Sequence, residues 1–322
     1  MSAPFVVNID GSVPTPAITA VTDDILPVTG TLISGAYTND SQPTFSGLAE
    51  ANSTVTVYNN DTQIGVTLTS SSGLWSFNPA TPLTDGFYSI STTATDLASN
   101  ISDRSAAFTL NIDTVKPVTP IIGSASDNQN PVTGTVANGG YTNDTTPTLS
   151  GTASVGDTVH LYDDGIQVWS AQVTTGTWSF TPAVALTEEA HSYTITATDL
   201  AGNVSDPSPA YVVNVDTTTP NSPVVSVVDD VAPVEQTTQS NNLWTNDTFP
   251  TLTGTVEPFG TVIVRLTSQV GPIVGSVVTD ETGVWSFTPS AELADGSWNP
   301  YYLAVEDRAG NTSSYQYQGV GI

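Results

Sequence analysis

The sequence predicts an all-β protein of three tandem β-sandwich domains, and three observations support this fold class. Several short motifs recur with a period of roughly one hundred residues, which is a common size for a self-sufficient domain. No segment shows the apolar spacing of a helix. Short stretches rich in Val, Thr, Ile and aromatic residues instead alternate between apolar and polar side chains.

The repeated motifs define which positions correspond between the domains. Four of them recur: Asn-x-Asp at 8–10, 111–113 and 214–216; Tyr/Trp-Thr-Asn-Asp at 37–40, 141–144 and 244–247; Trp-Ser-Phe at 75–77, 178–180 and 285–287; and Asp-x-Ala-x-Asn at 96–100, 199–203 and 307–311. The last interval is slightly longer, which predicts a short insertion within 268–278. A solenoid repeat would be far shorter, because its units must stack to bury a core.

The motifs predict domains at 11–113, 114–216 and 217–322. Segment 3–10 matches 106–113 and 209–216, so residues 1–10 are interpreted as the closing strand and linker of a preceding repeat. Met1 and Ser2 are interpreted as an expression start. We therefore expect the chain to be a fragment of a longer array.

Composition narrows the function classes. The chain has no cysteine, so the domains must be stable without disulfides, and it has 31 acidic against 4 basic residues, for a net charge of −27. Nucleic acid is excluded as a partner because phosphate binding needs a cationic surface. No stretch is long and apolar enough to span a membrane. We expect a monomer whose main partners are the neighbouring repeats of its own chain.

The second domain shows the strand pattern most clearly. Short strands are predicted at 148–152, 158–162, 166–173, 178–180, 193–198 and 211–215. Asp163-Asp-Gly has the composition of a hairpin turn. About seven strands in a hundred residues indicate an immunoglobulin-like sandwich of two antiparallel sheets. Trp178 and Phe180 lie on one face of a strand and are predicted to anchor the core.

Three tryptophans do not recur as tryptophan at the corresponding positions of the other domains. They are candidates for exposed rings that stack on a sugar, although incidental surface packing is the alternative for each one: Trp169, Trp244 and Trp298.

The recurring carboxylates predict cation sites at the domain boundaries. Strand direction places the Asp-x-Ala-x-Asn loop beside the preceding linker and the Tyr-Thr-Asn-Asp turn near the following one. Calcium takes six to eight oxygen ligands, whereas the near absence of His and Cys argues against zinc or copper. Asx turns and loop caps are the alternative role of these residues. The candidate ligands are Asp10, Asp24, Asp40, Asp96, Asn100, Asp103, Asp113, Asp127, Asp144, Asp199, Asn203, Asp206, Asp216, Asp230, Asp247, Asp307 and Asn311.

These motifs also carry a family resemblance. Tyr-Thr-Asn-Asp, Pro-Thr-Leu-Ser-Gly-Thr, Gly-x-Trp-Ser-Phe-Thr-Pro and Thr-Ala-Thr-Asp-x-Ala-Gly-Asn resemble the bacterial immunoglobulin-like repeats of giant type I-secreted adhesins. The similarity covers almost the whole chain. It implies a secreted, rod-like stalk on the bacterial outer surface, with calcium bound in and between domains. It also implies that domains near the tip of such a stalk bind host-cell glycans.

Three functions remain to be weighed. The leading hypothesis is a calcium-stiffened stalk segment of a surface adhesin that mediates attachment to host cells. The second is direct carbohydrate binding through an exposed tryptophan. An enzyme ranks last, because the carboxylates repeat in every domain instead of making one domain unlike the others. The only histidines, His160 and His191, do not complete a credible Ser-His-Asp set.

Overall fold

The computed structural model describes residues 10–232 and 236–322, and within these ranges the chain forms 27 β-strands and no helix. The strands build six sheets, paired into three consecutive sandwiches. The predicted fold class is therefore confirmed. The closing strand expected within residues 1–10 falls, apart from Asp10, outside the described residues.

The first sandwich contains nine strands. They are β1 Ala17–Asp23, β2 Gly30–Thr31, β3 Ala36–Thr38, β4 Thr44–Leu48, β5 Thr54–Asn59, β6 Thr62–Leu68, β7 Leu74–Phe77, β8 Gly86–Thr95 and β9 Phe108–Ile112. One sheet has the order β2-β1-β4-β7, and the other has the order β3-β9-β8-β5-β6. Strand β3 runs parallel to β9, whereas the other pairs are antiparallel. The chain therefore passes from one sheet to the other before β3.

The second and third sandwiches repeat this topology. The second has β10 Ile121–Asp127, β11 Gly134–Val136, β12 Gly140–Thr142, β13 Thr148–Thr152, β14 Thr158–Asp163, β15 Ile166–Gln172, β16 Thr177–Phe180, β17 Ala190–Thr198 and β18 Tyr211–Val215. The third has β19 Val224–Asp229, β20 Gln236–Thr238, β21 Asn242–Trp244, β22 Thr251–Thr255, β23 Thr261–Leu266, β24 Ile273–Val278, β25 Val284–Phe287, β26 Trp298–Glu306 and β27 Gln316–Gly321.

The alternation of apolar and polar residues did not predict strands β10, β11 and β12. β10 is rich in Gly, Ser and Ala, and β11 and β12 have three residues each, so none shows a long alternation of large apolar and polar side chains. The predicted insertion in the third sandwich lies in the β23–β24 hairpin. Its loop spans 267–272, where the second sandwich has only Asp164 and Gly165 between β14 and β15.

The core of each sandwich is centred on a buried tryptophan. Trp75, Trp178 and Trp285 are 3%, 6% and 1% exposed, which confirms that the Trp-Ser-Phe motif anchors the core. The neighbouring strand carries a glycine because nothing larger fits: a Cβ on Gly151 would lie 1.8 Å from the carbonyl oxygen of Ile121 and 2.8 Å from the Trp178 ring.

The described part of the chain offers no helical segment with the length and hydropathy needed to cross a membrane.

Candidate functional site

Each Asp-x-Ala-x-Asn loop binds the linker that precedes its sandwich. In the second sandwich the side-chain amide of Asn203 donates to the backbone carbonyl of Asp113 (2.8 Å) and to Oδ2 of Asp199 (2.9 Å). Oδ1 of Asp199 accepts the backbone amides of Ala201 and Asn203, both at 2.9 Å. The amide-to-carbonyl bond recurs from Asn100 to Asp10 (3.1 Å) and from Asn311 to Asp216 (2.9 Å). The loop thus lies beside the linker, where strand direction placed it.

The linker aspartates also form Asx turns, the alternative role considered from the sequence. Oδ1 of Asp113 accepts the backbone amide of Val115 at 3.1 Å, and Oδ1 of Asp216 accepts that of Thr218 at 3.1 Å. Oδ1 of Asp10 makes a longer contact of 3.4 Å to Ser12. The turn uses one carboxylate oxygen of each residue, so it is compatible with a cation at the other oxygen.

A further carboxylate lies beside the loop aspartate in each sandwich, and it was missed in the sequence. Asp10, Asp96 and Glu50 bring one carboxylate oxygen each to within 4.8 Å of one another. In the third sandwich Glu257 lies near enough to Asp307 and Asp216 for both to raise its pKa, after the larger effect of burial.

The second sandwich supplies its third carboxylate from a different position. The residue that follows Gly-Thr-Ala there is Ser154, where the first sandwich has Glu50. Asp157, three residues later, is 8% exposed and interacts electrostatically with Asp199. Because the acidic residue moves along the loop, a search for fixed spacing does not find it.

The clustered carboxylates repel one another. Burial and then the charge of Asp199 raise the pKa of Asp157. Burial, followed by the charges of Asp307 and Glu188, raises the pKa of Asp216. The neutral form is favoured in both cases because a buried negative charge loses hydration and faces other negative charges. A bound cation would remove this penalty.

A second acidic group lies at the C-terminal end of each sandwich. In the first sandwich, Oδ2 of Asp23 accepts the hydroxyl of Thr38 at 2.5 Å, and that hydroxyl accepts the backbone amide of Asp40 at 3.1 Å. Oδ1 of Asp40 accepts the backbone amide of Gln42 at 2.8 Å. The same threonine-to-aspartate bond joins Thr142 to Asp127 (2.5 Å) and Thr245 to Asp229 (2.6 Å). The paired residues Asp144 and Asp247 are buried like Asp40.

Three of the candidate ligands, Asp24, Asp127 and Asp230, do not occupy one structural position. The counterparts of Asp127 are Asp23 and Asp229, which end the first strand of their sandwiches. Two differences of one residue separate these positions: the stretch from Asp10 to Ala17 is shorter than that from Asp113 to Ile121, and β19 is shorter than β10.

Buried oxygen atoms without a hydrogen-bond donor occur on both sides of the first junction. Among the described residues, Asn39 Oδ1 and Asp40 Oδ2 of the first sandwich and Asp157 Oδ2 of the second are buried and unpartnered. The two sandwiches meet here, because the backbone amide of Asn39 donates to the carbonyl of Ala201 at 3.1 Å. Buried acceptors of this kind need a partner, and hard cations bind such oxygens.

Two predicted ligands lie apart from these clusters. Asp206 forms an exposed ion pair with Lys116 at 2.8 Å, so its carboxylate already has a cationic partner. Asp103 is exposed, and its backbone carbonyl accepts the hydroxyl of Ser102 at 2.8 Å. Neither residue belongs to the group around the linker aspartate.

The three non-repeated tryptophans have different environments. Trp169 is half-buried between Trp178 and Phe180, with ring centroids 6.0 and 5.8 Å away, so it belongs to the edge of the core. Trp244 and Trp298 are 65% and 39% exposed, and their ring centroids are 5.6 Å apart. Only this pair fits the expectation of exposed rings.

Comparison with known proteins gives a family and a set of distant folds. The model of the Bacterial Ig-like domain family matches residues 12–114, 119–217 and 223–322. Exoglucanase B of Cellulomonas fimi is 31% identical over 307 residues, which cover 92% of this chain and 25% of that protein. The chain thus spans a quarter of the length of this curated relative.

Two solved structures are similar to the chain at low sequence identity. The fibronectin(III)-like modules of Clostridium thermocellum CbhA are 19% identical with a TM-score of 0.34, over 61% of this chain and 94% of that chain. A structure concerning host cell surface retention of a 1.5-MDa bacterial ice-binding adhesin is 18% identical with a TM-score of 0.33, over 88% of this chain and 90% of that chain. Since the family model matches three consecutive segments that cover nearly all of the sequence, the chain belongs to the bacterial Ig-like domain family.

Proposed function

We propose that the chain is a stalk segment of a bacterial surface adhesin, and that calcium bound at its domain junctions stiffens it into an extended rod. The observation that carries this proposal is the convergence of a linker, a loop and a third carboxylate at the junctions, within 4.8 Å for Asp10, Glu50 and Asp96. Three carboxylates at this distance need a counter-charge, and no basic side chain accompanies those three within the described group.

The donor set fits calcium. Carboxylates and backbone carbonyls are the ligands that this ion prefers, and the buried unpartnered oxygens at the first junction are acceptors without a donor. Calcium would supply positive charge that cancels the repulsion between the linker and its neighbours. The chain itself holds the linker in place through the Asn203 bond to the Asp113 carbonyl. Together these interactions would restrict rotation between adjacent sandwiches.

The wider setting of the proposal is a secreted protein at the outer surface of a bacterium. The repeat motifs resemble most those of SiiE, the giant type I-secreted non-fimbrial adhesin of Salmonella, and this resemblance supports a role in host-cell attachment and virulence. We propose a non-enzymatic, monomeric segment whose partners are the adjacent repeats. The exoglucanase activity in the name of the curated relative belongs to a protein four times as long.

Calcium removal tests the proposal. We expect chelation to lower the melting temperature and to broaden the distribution of interdomain angles measured by small-angle X-ray scattering. When calcium is titrated back into the calcium-free chain, isothermal titration calorimetry should record a heat of binding. Scattering profiles that are identical with and without chelator would contradict the calcium-stiffened rod.

The variant Asp157→Asn sharpens the same experiment. In chelator it should melt at a higher temperature than the parent chain, because it removes a buried charge that faces Asp199. With calcium it should bind at least one ion more weakly, by about tenfold or more, because one charged ligand is lost. Asp206→Asn is the control, since its carboxylate pairs with Lys116 instead. An equal response of the two variants to calcium would argue against a site at Asp157.

A second candidate function, carbohydrate binding, is favoured by an aromatic strip on the third sandwich. We define this strip as Trp244, Trp298, Tyr302 and Tyr317. Trp244 and Trp298 both lie beside Gly321 in the strand register, which puts the two rings on one outer face. The indole nitrogen of Trp298 donates to the Tyr317 hydroxyl at 3.2 Å, and the Tyr317 and Tyr302 ring centroids are 5.5 Å apart.

Strand glycines make room for this strip. A Cβ on Gly319 would lie 2.2 Å from the Trp298 ring, and one on Gly321 would lie 2.5 Å from the Trp244 ring. Both rings therefore pack closely against the strand at these glycines, inclined by 48° to each other, while 65% of Trp244 and 39% of Trp298 stay exposed to solvent. Phe87 and Ala190 stand at the position of Trp298 in the other two sandwiches, so the strip is specific to the third.

Carbohydrate binding is tested on a panel of host-type glycans and glucan oligosaccharides, the latter because the curated relative is named an exoglucanase. We expect Trp298→Ala and Trp244→Ala each to weaken retention by about tenfold, which corresponds to about 1.4 kcal/mol. Trp169→Ala should leave retention unchanged, because that ring belongs to a different sandwich. No retention of any sugar by the parent chain would leave the stalk role alone.

A further inference from the structure

The second sandwich contains a cavity of about 700 Å³ whose lining includes none of the residues of the junction clusters. Its walls are mainly apolar and include Trp169, Phe180, Val184 and Leu186, and its polar end carries Asp163 and His191. The corresponding hollow in the first sandwich measures about 320 Å³ and is lined by residues such as Ile64, Leu83 and Tyr88. Cavities of several hundred cubic ångströms with few polar groups are typical of small-molecule sites.

The cavity exists because one residue differs from its counterparts. The β15 position of Trp169 is Gly65 in the first sandwich and Gly275 in the third. In those sandwiches a phenylalanine ring covers the glycine: a Cβ would lie 2.2 Å from Phe77 at Gly65 and 2.1 Å from Phe287 at Gly275. A tryptophan cannot share that space. Phe180 instead packs beside the Trp169 ring, at 5.8 Å, and both rings line the cavity.

The polar end of the cavity is a buried ion pair with spare hydrogen-bonding capacity. Nδ1 of His191 lies 2.8 Å from Oδ2 of Asp163, and Nε2 lies 3.1 Å from the carbonyl oxygen of Thr187. Both ring nitrogens thus face acceptors, so His191 donates from both and has no lone pair for a metal. Burial alone would lower the pKa of His191, but these two contacts raise it overall.

The remaining polar groups at this end are buried. Oδ1 of Asp163 and the hydroxyl of Tyr193 are both inaccessible and make no hydrogen bond of ordinary geometry. The two residues nevertheless interact: burial first, and then the charge of Asp163 and a hydrogen bond to it, raise the pKa of Tyr193, so the hydroxyl stays protonated. Asp163 lines the cavity, so a ligand that donates a hydrogen bond to its carboxylate would offset part of the cost of burying that charge.

Charge around the cavity selects the ligand further. Asp164 lies beside Tyr193 and Glu189 lies beside His191, and the basic residue of the lining, His191, is paired with Asp163. The chain as a whole carries a net charge of −27, which repels anions and attracts cations. Aromatic faces also attract an organic cation that has lost part of its water.

We propose that this cavity is a binding site for a small amphipathic amine, whose apolar body packs against Trp169 and Phe180 and whose ammonium group binds at the Asp163 carboxylate. The position is specific to the second sandwich. The first has Asn59, Gly65 and Tyr88 at the positions of Asp163, Trp169 and His191, and the third has Leu266, Gly275 and Asn299. The repeated framework therefore carries one specialised domain.

The proposal is tested with three matched probes on the intact chain: 2-phenylethylammonium, 2-phenylethanol and 3-phenylpropionate. Binding is followed by amide chemical shifts in NMR spectra. The cation should shift amides of β15 to β17 most strongly, the alcohol less and the anion least. Asp163→Asn should lower the affinity for the cation by about tenfold and leave the affinity for the alcohol nearly unchanged. Equal affinity for all three probes, or shifts confined to other sandwiches, would overturn the proposal.

Substitutions at two further positions, Trp169 and Val184, guard against a folding artefact. Trp169→Gly restores the residue of the other sandwiches and should abolish binding of the cation and the alcohol while the sandwich stays folded. Val184 lines the cavity and is 78% exposed, so Val184→Lys changes charge at its mouth without disturbing the core. Val184→Lys should lower the affinity for the cation, and Val184→Glu should raise it. Trp298→Ala is the control, and a loss of binding there would contradict the assignment.

Discussion

Replacing Trp178 with alanine is expected to lower the free energy of unfolding of the second sandwich by about 3–5 kcal/mol. The side chain is 6% exposed and packs in a core with Leu149, Leu161 and Ile195. Its indole nitrogen also donates to the carbonyl of Ile121 at 3.2 Å, and that acceptor would lose its partner. Hydrogen exchange resolved by segment measures the loss, because it reports on each sandwich separately.

The same substitution at Trp244 is the matched control. Trp244 is 65% exposed, so Trp244→Ala should change stability by less than about 1 kcal/mol. Exchange in the first and third sandwiches should stay unchanged in the Trp178 variant, since their cores are separate clusters. A similar destabilisation by the two variants would show that the Trp-Ser-Phe motif is not the core anchor described above.

Asn203→Ala is expected to lower the free energy of unfolding of the second sandwich by about 2–3 kcal/mol. It should also free the linker between the first and second sandwiches from the Asn203 loop. The amide of Asn203 is the donor to both the Asp113 carbonyl and the Asp199 carboxylate, and the residue is 8% exposed. Its removal leaves a partly buried charged acceptor, Asp199, without one of its donors. Amides from Asp113 to Lys116 should exchange faster with solvent, and the angle between the first two sandwiches should vary more in solution.

Asn138→Ala is the control, because it removes an asparagine with two hydrogen bonds that does not contact the linker. The Asn138 side chain also makes two hydrogen bonds, to the carbonyl of Ala210 (3.2 Å) and from the amide of Val212 (2.7 Å), but it is exposed. We expect Asn138→Ala to lower the free energy of unfolding by less than about 1 kcal/mol and to leave exchange in the linker unchanged. If Asn203→Ala leaves linker exchange at the parent rate in chelator, the hydrogen bond does not hold the junction.

The sequence predicted the sandwiches because their signals are local. Alternation along β14 and β17, the paired aromatics Trp178 and Phe180, and the repeated motifs each depend on nearby residues only. The contact between the Asp199 loop and Asp113 was also predictable, since antiparallel strands reverse direction at each turn.

Other features needed three-dimensional information. Glu50 and Asp157 provide equivalent charges from non-equivalent positions, so no fixed spacing reveals them. The cavity depends on what a tryptophan at 169 displaces on the neighbouring strand, and nothing in the sequence around it identifies Phe180 as the displaced ring. Packing across a sheet is a property of the whole domain and is invisible to periodicity.

The bond from Asn203 to a main-chain carbonyl has a consequence for the inheritance of such arrays. Because its acceptor is a peptide group, any linker that follows the same path offers it, whatever side chains that linker carries. Unequal recombination that joins the end of one repeat to the start of another therefore preserves this hydrogen bond between loop and linker. The number of repeats can change without new residues at the junctions, and a single repeat such as the second can change its side chains independently of the others.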